Sequence, residues 1–149
     1  MFYNAIWYIL YIFIIFTIID VLLLFLSKSS IEAVRQTPEK LSNGDENEIV
    51  IRIKNKYTFP IYARIIDEIP FQFQVRNFNV FRRISAQSKD EYKYFLRPTE
   101  RGEYFFGNLN VFTSSPLRLT SKRFRFANNQ LVPTYPSYVQ LRKYDLMAF

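Results

Sequence analysis

The sequence predicts a mainly β protein: one N-terminal apolar helix followed by an antiparallel β-sandwich. Three observations carry that expectation. From Ala5 to Leu26 only Thr17 and Asp20 interrupt an apolar run. After Gly44 the apolar residues recur at every second position, in short stretches closed by turn residues. Beyond Leu41 no stretch sustains a 3.6-residue period.

The helix comes first. As a helix, Ala5 to Leu26 reaches about 33 Å at roughly 1.5 Å per residue, enough for a hydrocarbon core of about 30 Å. The run is apolar on every side, whereas a helix of a soluble core keeps a polar stripe. A secretory signal would need a basic start, a shorter apolar run and small residues at a cleavage site. No Lys or Arg precedes Lys28, and no such site follows. Residues 2–27 are therefore read as a transmembrane helix, with the lipid bilayer as its partner. Tyr3, Trp7, Tyr8 and Tyr11 crowd one end, where amphipathic rings favour the headgroup boundary. Lys28, Arg35 and Lys40 follow the other end, so the positive-inside bias places the soluble part in the cytoplasm. Asp20 lies within about 9 Å of the end of the run. It is read as a carboxyl reaching the interface or a polar residue on another helix, because a proton relay would need more ionisable groups at membrane depth.

Composition narrows the chemistry. Cysteine and histidine are both absent. That removes thiol nucleophiles, disulfides, Ser-His triads and nearly all zinc, haem and iron–sulfur sites. From Lys28 to Glu68 seven basic residues balance seven acidic ones; from Ile69 to Phe149 thirteen face five. The C-terminal half thus carries the positive excess, suited to anionic lipid or to a solvated face. Nucleic-acid binding is not expected, since the basic residues are scattered through strand-like segments without a recognition motif.

The remaining elements follow in order. Residues 28–41 read as a juxtamembrane connector, in which Pro38 argues against a continuous helix. Ser42-Asn43-Gly44-Asp45 is a turn cluster without the ligand spacing of a calcium loop. Ile49, Ile51 and Ile53 alternate with Val50, Arg52 and Lys54 as a half-buried strand, and Ile61, Ala63 and Ile65 form a second. Phe71 to Val75 alternates again, and Phe78 to Ile84 reads as another short strand. Glu91 to Leu96 is strand-like up to Pro98. Gly107 is either a hairpin turn with Asn108 or a bulge in one long strand, the bulge being preferred. Leu117, Leu119, Phe124 and Phe126 carry the last clear alternation, and Leu131 to Tyr135 a final strand. The sandwich, of the immunoglobulin-like kind, is placed at 42–137, and 138–149 is read as the start of a linker to a further domain. Aromatic residues make up 19% of the chain, which pleated, half-buried surfaces explain without a ligand.

Several short motifs then come in a particular order. The apolar helix ends in Asp20-x-Leu22-Leu23, followed by R-x-x-P-x-x-L-S-N-G-D from Arg35 and I-D-E-I-P ending at Pro70. After these come L-R-P-T-E-R-G-E-Y-F-F-G ending at Gly107, a Ser-Pro-Leu turn at Pro116, and V-P-T-Y-P-S-Y from Val132. In that order they resemble the membrane-anchored bacterial family known as domain of unknown function 58. The resemblance covers nearly the whole chain, with Arg118 where relatives often have Gly and Thr134 where they often have Val. It implies a two-helix membrane hairpin, a β-sandwich, a C-terminal domain similar to von Willebrand factor A, and association with MoxR-type AAA+ ATPases in complex assembly. Against that pattern the chain shows one apolar helix and stops before the third part, as a piece of a longer parent would.

The functional expectation is a non-enzymatic, membrane-tethered interaction or scaffold module at the bacterial inner membrane, passing it once. Its alternative is a lipid- or glycan-binding sandwich at the membrane surface. No catalytic, cofactor-binding or metal-binding residue and no small-molecule substrate is expected. Gly44, Gly102 and Gly107 suit turns or bulges with positive φ. Arg101 is read as capping a loop or pairing with Glu100 or Glu103. Asp67 and Glu68, the carboxylates an enzyme would use, are adjacent and point to opposite faces if extended.

Overall fold

The computed structural model describes residues 2–137 and 146–147. One helix and ten strands make up these residues: α1 (Phe2–Phe25), β1 (Ile31–Gln36), β2 (Leu41–Ser42), β3 (Asn47–Asn55), β4 (Ile61–Asp67), β5 (Asn79–Ile84), β6 (Lys89–Leu96), β7 (Gly102–Phe106), β8 (Leu109–Ser114), β9 (Ser121–Phe126) and β10 (Gln130–Tyr135). The fold is the expected apolar helix and β-sandwich. Apart from residues 146–147, the linker expected at 138–149 lies outside the described residues.

Alternation decides which face of each strand is inside. In β3 the side chains of Asn47, Ile49, Ile51, Ile53 and Asn55 are buried and those between them are not, as a period of two requires. β4 repeats the pattern with Ile61, Ala63, Ile65 and Asp67. One layer has the order β1-β3-β6 and the other β5-β4-β8-β9, and their inner faces share one core. Each isoleucine fully buried there contributes about 1.5–3 kcal/mol. The two asparagines replace isoleucine where the layer ends. Asn55 Nδ2 donates to the carbonyls of Phe59 and Ser85, and Asn47 Nδ2 to those of Ser42 and Asp45. Each side chain thereby closes the loops at one end of β3.

A third sheet, β2-β10-β7, prolongs the second layer, and its β10–β2 pair is parallel. The two strand pairs β8–β9 and β7–β10 form one bent ribbon. Leu109 faces Phe126 and Phe106 faces Gln130, so the two residues Gly107 and Asn108 are opposed by three, Ala127 to Asn129. The irregularity expected at Gly107 is therefore present, but its extra residue lies on the opposite strand.

Three expectations are corrected. Residues 28–41 are not a plain connector: β1 pairs with β3 along its whole length and buries Ile31 and Arg35. Phe71 to Val75 is not a strand but a 3-10 turn over Phe71–Phe73, ended by Gln74 at φ 54. Phe73 packs on the rings of Tyr104 and Phe106 while Phe71 stays exposed, so the alternation marks a covering turn and not a ladder. Gly107 has no positive φ, unlike Gly44 and Gly102. What it supplies is room, because a Cβ there would stand 2.8 Å from Cβ of Glu68.

Candidate functional site

The foot of α1 is where the apolar helix and the sandwich meet. Most of α1 turns large apolar side chains outward, but Asp20 and Leu24 are fully buried. The residues that bury them come from the far part of the chain. Ser115 Oγ donates to Asp20 Oδ1, while Thr120 donates to Oδ2 through its backbone N (2.6 Å) and its hydroxyl (2.7 Å). A buried polar group left without its partner costs roughly 1–3 kcal/mol, so these donors and this acceptor hold one another in place. The partner anticipated for Asp20 on another helix is thus a loop of the sandwich.

The same foot satisfies the end of the helix. Leu24 O, among the last carbonyls without an intrahelical donor, receives the Tyr57 hydroxyl at 3.3 Å and Lys122 Nζ at 3.5 Å. A cation placed there also complements the helix dipole. Burial pushes the Tyr57 hydroxyl pKa up, keeping it a donor. Loop 115–120, the Tyr57 turn and the start of β9 therefore hold α1 against one end of the sandwich.

Beside this foot opens a concavity of about 560 Å³ on the outer face of β5-β4-β8-β9, lined by Tyr62, Arg64, Phe81, Arg83, Phe112 and Arg118 among others. Strand register explains the grouping. Arg83, Tyr62, Ser114 and Ser121 form one cross-strand row, and Phe81, Arg64, Phe112 and Arg123 the next. The first row borders the loop that holds Asp20, since Ser115 and Thr120 directly adjoin Ser114 and Ser121. Guanidinium groups stack over the rings: Arg118 lies 3.6 Å from the centroid of Tyr62, and Arg64 lies 4.7 Å from that of Phe112. Hydrogen bonding to Arg118 holds the Tyr62 hydroxyl below its ordinary pKa. Arg118 itself is at φ 55, a conformation that glycine adopts freely and that costs another residue about 1–2 kcal/mol.

A second polar group lies between the layers. Arg35 of β1 and Asp67 of β4 form a fully buried ion pair. Arg35 Nη2 also donates to Gly107 O (2.8 Å) and Asn128 O (2.7 Å), and the Tyr94 hydroxyl donates to Asp67 Oδ2 at 2.6 Å. Burial drives the Asp67 pKa upward, against the pull of the Arg35 charge and the Tyr94 hydrogen bond. Burial beside Asp67 likewise raises the Tyr94 pKa. Both layers and the ribbon bulge converge on this cluster. Of the two readings of Arg101, the buried ion pair with Glu100 or Glu103 does not form: its side chain is exposed, and no carboxylate pairs with it among the described residues. Asp67 points inward and Glu68 is exposed, so these two carboxylates do not share a face.

The chain matches no family model and no curated protein sequence. Among solved structures it is similar to the ASH/PapD-like domain 7 of human CEP192, at TM-score 0.52 and 12% identity, over 72% of this chain and 86% of that one. It is also similar to the CARDB domain of PF1109 from Pyrococcus furiosus, at TM-score 0.48 and 11% identity, over 73% of this chain and 94% of that one. At 12% identity the first of these likenesses shows the sandwich fold alone.

Proposed function

We propose that the chain is a non-enzymatic, membrane-tethered interaction module of the bacterial inner membrane. α1 crosses the bilayer once, and the sandwich stands on the cytoplasmic side. The observation that carries this reading is the foot of α1. An apolar helix fixed to its domain through Asp20, Leu24, Tyr57 and Lys122 holds the sandwich at the bilayer in a set orientation, whereas a flexible linker would leave it free to rotate. Support for a non-enzymatic role comes from the buried carboxylates, Asp20 and Asp67, whose oxygens are engaged in holding the fold.

The module serves as a scaffold in complex assembly assisted by a MoxR-type AAA+ ATPase, a partner drawn from the motif order that ends in Val132 to Tyr138. Purifying the full-length chain from cross-linked membranes tests the partner. Enrichment of an AAA+ ATPase is the expected result, and recovery of no protein partner removes the scaffold reading. Protease treatment of vesicles tests the orientation. The sandwich should be protected in right-side-out vesicles and cut in inverted ones, and the reverse pattern places it on the other side.

A further inference from the structure

We propose that the concavity beside the foot of α1 binds the phosphate headgroup of an anionic phospholipid from the same bilayer. This deepens the tethering reading and rests on it.

The charge count comes first. Arg64, Arg83 and Arg118 line the concavity, and among the described residues none of the three is in an ion pair. Four other cations are matched by carboxylates: Arg52 with Glu91, Lys56 with Glu32, Lys93 with Glu48, and Arg82, which also lines the concavity, with Asp90. Arg64 Nε is buried without a hydrogen-bond partner, a donor that an incoming acceptor oxygen would satisfy. Planar guanidinium forks stacked on aromatic rings are pre-organised for phosphate oxygens.

Position then selects the source of the phosphate. Asp20 lies within about 9 Å of the end of the apolar run, within reach of the headgroup region on that side. Loop 115–120 grips that carboxylate and is carried to the same depth. Leu117 and Leu119 are exposed at 39% and 41%, on either side of Arg118. Two outward leucines flanking an arginine match the interface, with apolar groups towards the acyl boundary and the guanidinium at the headgroups. Keeping an arginine at φ 55 in this loop is a cost that phosphate binding offsets.

The test uses the full chain in neutral detergent, with lipid adducts read by native mass spectrometry. Short-chain phosphatidylglycerol, phosphatidylcholine, inorganic phosphate and poly-glutamate are offered separately and in competition. Phosphatidylglycerol should bind in preference to phosphatidylcholine, and more weakly as salt rises. The triple substitution Arg64→Gln, Arg83→Gln and Arg118→Gln should weaken it about a hundredfold, from a typical gain per basic group near an anionic surface. Arg97→Gln with Arg101→Gln, both exposed and outside the concavity, should leave it within about twofold. Arg118→Gly relieves the backbone and should melt no lower than the parent chain while still losing affinity, which separates binding from folding. Equal uptake of both lipids, or unchanged affinity in the Arg118 variants, overturns the site. Displacement of lipid by poly-glutamate points to an acidic protein and overturns it too, as does inorganic phosphate competing as well as lipid. Carbonate extraction of membranes reads the tether by itself: a chain that stays in the pellet without lipid preference keeps the tether and loses the headgroup site.

Discussion

Arg35 and Asp67 show what a buried charge costs and what its removal costs. Desolvating two ions is expensive, and their attraction with the added hydrogen bonds roughly offsets it. Removing one partner leaves the other charge uncompensated. Arg35→Met or Asp67→Leu alone should therefore destabilise the fold by about 3–5 kcal/mol, while the double substitution recovers a large part. Urea melts of the four variants check the cycle. pH gives a second handle on Asp67. Its folded pKa lies above the ordinary 3.8 because burial outweighs the Arg35 charge and the Tyr94 hydrogen bond. The native chain thus holds this proton more tightly than the unfolded chain does. The linked stability is full at low pH and is lost as pH rises from about 3.8 through the folded pKa. The stability difference between the parent chain and Asp67→Asn should shrink across that window. A difference that grows instead would mean the ion pair dominates.

Elements impose a different kind of constraint, in which backbone spacing matters more than charge. At the ribbon bend Glu68 O accepts from the Gly107 N–H at 2.9 Å, and Asn108 O accepts from the Glu68 N–H at 3.1 Å. That approach leaves no room for a Cβ on Gly107, which would meet the Glu68 carboxylate and, at 2.8 Å, the Cβ of Glu68, an atom that no side-chain rotation moves away. Gly107→Ala should cost about 1–3 kcal/mol by thermal melting, as overpacking does. An unchanged melting temperature would mean that the end of β4 can retreat. α1 meets the sandwich through polar atoms at its foot, so Asp20→Ala leaves the Ser115 and Thr120 donors unpaired. A loss of about 1.5–3 kcal/mol is expected in detergent, with Asp20→Asn intermediate. Undocking of the helix would show as faster proteolysis within 115–120, and equal stability of the three chains would mean that the foot does not hold α1.

For the whole molecule, the helix belongs to the domain and is not a removable handle. Deleting residues 1–28 exposes Ser115, Thr120 and Tyr57, which now point at Asp20 and Leu24. The truncated sandwich should melt several degrees lower than the full chain, at about 4 °C per kcal/mol for a domain of this size. Equal melting would make the tether and the sandwich independent.

Much of this organisation was legible in the sequence. The length and uniformity of α1, the alternation in β3, β4 and β6, and the turns at Gly44 and Pro116 are local properties, read from a few neighbouring residues. Residues 31–36 were missed as a strand because Ile31, Glu32, Ala33, Val34, Arg35 and Gln36 put a buried arginine where alternation asks for an apolar residue. Phe71 to Val75 misled in the opposite sense, with a strand-like period on a segment that folds as a turn over β7.

Local pattern thus determined the kinds of element and their inner faces, since side-chain period and helical rise are properties of the chain itself. Which charges meet was decided only in three dimensions. Arg35 reaches Asp67 across 32 positions, and Asp20 reaches Ser115 across 95. Strand register and layer stacking set those encounters, and no stretch of sequence short enough to read by pattern contains both partners.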